Sequence, residues 1–74
     1  MDLNRFELWN TLLNNVNDRL DIYGSNDDVA KNYVYLTFEY GIITERTCNM
    51  IIAKIKNGKY IETQDLMKSE DLSI

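Results

Sequence analysis

Histidine and proline are both missing from this chain, and cysteine occurs once, at position 48. Without histidine the chain has no usual general base, no usual metal ligand and no usual pH switch. A nucleophile at Cys48 would therefore lack its customary partner. The chain is read as non-catalytic, with no cofactor, no metal and no small-molecule substrate. A lone cysteine excludes an internal disulfide and fits a reducing compartment. On an apolar helix face it reads as a small buried hydrophobe. No apolar run approaches the ~20 residues that span a bilayer, and Asp2, Arg5 and Glu7 interrupt any leader-like stretch at the start. Together these predict a cytoplasmic protein with no membrane association.

The chain has 74 residues, near the size at which one core yields only about 3–5 kcal/mol. A homodimer or a protein partner is therefore an option from the outset. Apolar residues make up 45% of the composition, too many for a chain that stays disordered.

The net charge of −4 is unevenly spread. Residues 1–30 hold two basic against six acidic side chains, residues 31–61 hold five against two, and residues 62–74 hold one against four. A basic middle lies between acidic ends.

From Leu3 to Tyr23, Phe6, Trp9, Leu13, Val16, Leu20 and Tyr23 recur at alternating three- and four-residue spacing, with Leu3 and Leu12 widening the stripe. This predicts an amphipathic helix over residues 3–23, capped by Asp2 and stopped by Gly24. A second helix is predicted over residues 26–40. Ser25 and Asp28 stand at capping-box spacing, and Val29, Tyr33, Leu36 and Tyr40 are assigned to its inner face. The run from Tyr33 to Tyr40 also alternates strictly and is rich in aromatic residues, so a strand is the rival reading. A third helix is predicted over residues 45–57, with Cys48, Ile51, Ile52 and Ile55 inward and Gly58 beyond its end.

Gly41-Ile42-Ile43-Thr44 favours the helical reading of the aromatic run. It places a glycine where a helix stops in the left-handed region, an isoleucine that can fold back on Leu36, another at a staple position, and a threonine that caps the next helix. The words Gly41-Ile42-Ile43-Thr44-Glu45 resemble the opening of a short helical oligomerisation motif of the SHOCT type, and Ala53, Lys54 and Ile55 continue the likeness. The aromatic expected near Cys48 and the lysines expected near Ile51 and Ile52 are missing.

These elements predict an all-α fold. A three-helix domain, a helical hairpin plus a packed helix, occupies residues 1–61, with Trp9, Leu13 and Leu36 in its core. An acidic, partly ordered tail over residues 62–74 has a short turn capped by Thr63 and frays from Ser69. Helix two carries more apolar surface than one face can hide, and Val34, Tyr35 and Phe38 are the expected contact residues for a protein partner or a second copy. The predicted function is a small non-catalytic regulator that binds another protein, of the kind phages and mobile elements encode as inhibitors. Two alternatives stand beside it. Residues 36–57 partly fit a helix-turn-helix, with Arg46, Asn49 and Lys56 offered to DNA, against which the acidic pI near 4.5 weighs. The clustered Asp18, Asp21, Asp27 and Asp28 would alternatively suit a nucleic-acid mimic that blocks a basic partner.

Overall fold

A computed structural model describes residues 3–70. Asp2, the expected cap of the first helix, and residues 71–74 lie outside the described residues, as does the side chain of Leu3. Within 3–70 the fold is wholly helical: α1 (Leu3–Tyr23), a 3₁₀ turn (Gly24–Asn26), α2 (Asp28–Glu39), α3 (Glu45–Lys56) and α4 (Thr63–Ser69).

Ring order follows from which helices touch. α2 packs on α1 and α3, and α4 packs on α1 and α3 from the other side. Helix direction follows from three cross-links between α1 and what comes after it: Arg19 to Asp27, Asn15 to Tyr33, and Trp9 to Ile42. As one number falls the other rises, so α2 runs antiparallel to α1. Glu70, at the end of α4, reaches Thr44 and Thr47 at the start of α3, so those two helices are antiparallel as well. The two antiparallel pairs pack around one core.

That core holds Trp9, Leu12, Leu13, Val16, Ala30, Val34, Ile43, Cys48, Ile51, Ile52, Ile55, Ile61 and Leu66. Trp9 is its largest member. Its indole N–H donates to the Ile42 carbonyl at 3.1 Å, and Phe6 meets it edge-on with ring centroids 5.3 Å apart. From Phe6 to Leu20 the α1 stripe thus packs as its spacing predicts, while Tyr23 at its end is exposed.

The aromatic run is helix, and the corner after it explains why. Tyr40 closes α2, the Gly41 amide donates to the Phe38 carbonyl and the Ile42 amide to Thr37, the paired bonds of a Schellman motif. Gly41 has φ +78°, where a side chain would be strained. Thr44 then caps α3 by accepting from the Thr47 amide, and Ile43 is buried in the core. These local bonds outweigh the strand propensity of the run, which is a weak preference of side-chain surroundings.

Helix two is turned from its predicted setting. Ala30, Val34 and Thr37 are its buried positions, Tyr33 and Phe38 flank them, and Val29, Leu36 and Tyr40 face outward. Two apolar stripes run along α2 about 100° apart, and the one assigned inward is the exposed one. The cause is visible in the packing: Ala30, Val34 and Thr37 are small enough for α2 to lie close to both α1 and α3, whereas Tyr40 and Leu36 would hold it away. Thr37 is tolerated inside because its hydroxyl donates to the Tyr33 carbonyl at 2.7 Å. Leu36, expected in the core and under Ile42, is on the surface.

A fourth helix lies where a loose tail was expected. Leu66 is fully buried and Ile61 nearly so. The connection is held by Asn17 of α1, whose amide donates to the Ile61 carbonyl and accepts from the Ile61 amide, both at 2.9 Å. Glu62 occupies the cap position of α4, one residue before the expected Thr63. Its own amide donates to Asp65 at 2.9 Å, the return half of a capping box. Lys54 of α3 also bonds Asp65 at 2.9 Å. Ser69, expected to fray, bonds both Thr47 and the Leu66 carbonyl.

Candidate binding face

The second helix begins on a charged clamp rather than on Ser25. Asp27 caps α2 by accepting from the Val29 amide at 3.1 Å. The same carboxylate takes two bonds from Arg19, at 2.5 and 3.2 Å. The guanidinium lies 4.5 Å over the Tyr23 ring. The hydrogen bonds from Arg19 hold the Asp27 carboxyl below the ordinary carboxylate range, against the opposing effect of burial, with the amides of Ala30 and Val29 helping. An acid lowered in this way stabilises the fold above its unfolded-state value and loses that contribution as pH falls through the folded one. Asp65 is also lowered: burial pushes it up, but the Glu62 amide and the Lys54 ammonium outweigh that. The urea midpoint is expected to be flat from pH 7 to about 5 and to fall below about pH 4. Asp27→Asn should make that acid limb shallower without removing it, because Asp65 titrates in the same direction.

Beside the clamp lies a groove of 320 Å³ between α1 and α2. Val16 and Ala30 form its floor, Val29 and Tyr33 one wall, and Asn15 with Asp18 and Arg19 the other. The Asn15 amide touches the Tyr33 hydroxyl at 3.4 Å across it.

The groove continues into an apolar strip. Leu8 is two helical turns before Asn15 on the same side of α1, and Tyr40 is two turns after Tyr33 on the same side of α2. Because the helices are antiparallel, Leu8 and Tyr40 come level, with Leu36 between Tyr33 and Tyr40. These side chains are well exposed: Leu8 44%, Val29 57%, Leu36 48% and Tyr40 78%. The strip runs about 16 Å along α2.

Of the expected contact residues, only Tyr35 is on the surface, at 45% exposure, and it projects from the outer side of α2, away from the groove. Val34 is fully buried, and Phe38 is half-buried against the core. Surplus apolar surface exists on α2, carried by the other stripe. The spacing places Val29, Tyr33, Leu36 and Tyr40 inward with Ala30 and Thr37 as flanks and Val34 outward, whereas Ala30, Val34 and Thr37 are the buried set.

Arg46, Asn49 and Lys56 do share an exposed side of α3. The N-terminus of that helix, where a recognition helix meets phosphate or base edges, is occupied by carboxylates. Glu45 is in its first turn. Glu70 accepts from the Thr44 amide at 2.9 Å and from the hydroxyls of Thr44 and Thr47. Thr47 is wholly buried, with its hydroxyl also 2.6 Å from that of Ser69. The acidic cluster of the mimic reading is dispersed: Asp27 is buried in its clamp, Asp21 accepts from the Tyr60 hydroxyl, and Asp18 and Asp28 are exposed on different helices.

Cys48 is buried, and burial together with the charge of Glu45 raises its thiol pKa. Among the described residues no helix is long and apolar enough to cross a membrane. No local pattern signals the Asn17 clamp or the reach of Glu70, since both link positions far apart in the chain. No protein-family model, curated protein or solved structure matches this chain, and the likeness of residues 41–45 to a SHOCT opening is accounted for by the Schellman turn and threonine cap they form.

Proposed function

We propose that this chain is a non-catalytic protein-binding module that regulates its partner by docking through the groove and apolar strip between α1 and α2. The observation that carries this reading is the second apolar stripe of α2. Val29, Leu36 and Tyr40 stay in solvent although the core is already closed by Ala30, Val34 and Thr37. Large side chains held in water on a rigid helix pair are the usual material of interfaces, where aromatic residues bury much area at little cost in side-chain entropy. The DNA-binding alternative is weakened by the carboxylates of Glu45 and Glu70 at the start of α3, which oppose phosphate where it would have to approach.

The test uses the full chain in the cells that make it, with a photoreactive phenylalanine analogue in place of Leu36 or, separately, of Arg46. Irradiation is expected to give a discrete adduct from position 36 and none from position 46. Adducts from position 46 alone would move the functional surface to α3.

A further inference from the structure

Resting on the protein-binding reading of this face, we infer that its occupant is a cationic amphipathic helix of a partner protein, lying along the groove between α1 and α2. The shape argues for a helix. The floor is set by two antiparallel helices, and the strip of Val29, Tyr33, Leu36 and Tyr40 spans about three turns, the length over which a third helix beds its own three- and four-spaced apolar residues.

The charge argues for a cation. On α1, Glu7 and Asp18 lie just outward of Leu8 and Asn15. On α2, Asp28 and Glu39 lie on the solvent face shared with Tyr35, each one position round the helix from Val29 and Tyr40 respectively. All four are exposed, and among the described residues none of them has an ion-pair partner. The one cation lining the groove, Arg19, is already held by Asp27. Lys31 lies on the opposite flank of α2, toward α3. Both banks of an apolar channel are therefore acidic. A helix with a leucine or phenylalanine stripe and lysine or arginine on either side would place each charge against an opposite one. A second copy of this chain would do the reverse. Strip against strip brings the two pairs of acidic banks together, and like charges facing one another oppose association.

Three synthetic 18-residue helices test this, with one leucine stripe in common and flanks of lysine, glutamine or glutamate. Each is titrated into the intact chain and followed by fluorescence anisotropy. The lysine-flanked helix is expected to bind at least about tenfold more tightly than the glutamine-flanked one at ~50 mM salt, and to lose that advantage at ~500 mM. Asp18→Asn with Glu39→Gln should remove the preference, and Leu36→Ser with Tyr40→Ser should remove binding of every peptide, with the helical circular dichroism unchanged in both. Equal binding of all three peptides, still abolished by the Leu36 and Tyr40 changes, would overturn the cationic assignment and leave the docking face standing. Concentration-dependent dimerisation lost in Leu36→Ser would overturn it in favour of a second copy. Failure of all three to bind would overturn the helical occupant, while photo-adducts from position 36 would separately keep the face as a protein contact.

Discussion

Trp9→Ala is expected to leave the chain without a cooperative unfolding transition at 25 °C. Truncating a buried tryptophan costs about 3–5 kcal/mol, and a domain of this size has roughly that much stability in all. Trp9 is also more than volume. Its indole ties α1 to the corner between α2 and α3 through the Ile42 carbonyl, and its ring supports Phe6. Trp9→Phe separates the two roles. It keeps an aromatic ring in the core and removes the hydrogen bond, worth about 0.5–1.5 kcal/mol, along with part of the packing. That variant should fold with a lower urea midpoint and a sharp transition. A Trp9→Ala chain with a sharp transition and an unshifted midpoint would show that the core closes without this residue.

Deleting residues 62–74 is expected to be comparably severe. A loose tail could be removed at no cost, but α4 covers α1 and α3 and buries Leu66 completely. Leu66→Ala alone should cost about 2–5 kcal/mol. Deletion also takes away Asp65, the partner of Lys54, and Glu70, the partner of Thr44. Far-UV circular dichroism with urea titration distinguishes the cases. A truncated chain that melts like the intact one would return α4 to the status of an appendage.

Legibility in the sequence followed range. The α1 stripe, the Gly41 to Thr44 corner and the end of α3 before Gly58 are set by spacings of three to five residues, and each formed where its residues predicted. The setting of α2 was less legible, because Val29-Tyr33-Leu36-Tyr40 and Ala30-Val34-Thr37 are both valid helical stripes. Close packing of three helices selected the smaller set, and no local rule ranks them. The fourth helix was legible only as a short turn capped by Thr63, for a related reason. Glu62 to Ser69 is polar and short, with one strongly buried side chain, and an isolated helix of that length is unstable in water. Its order comes from Asn17, Lys54 and Thr44, all distant in sequence. Much of the candidate face was likewise visible as residues but assigned to the wrong side, so Tyr35 is the only expected contact that reaches solvent freely.

Glu70 ends α4 with its backbone, donating to the Leu66 carbonyl at 2.8 Å, while its side chain begins α3. The acid that a capping box normally takes from the third residue of its own helix is here supplied from another, since α3 has Thr47 at that position. The first turn of α3 thus borrows its protection. The Thr44 amide proton should exchange with solvent on the timescale at which α4 lifts off, rather than at the rate of local fraying, so that the last helix in the chain governs exposure at the start of one well before it in sequence.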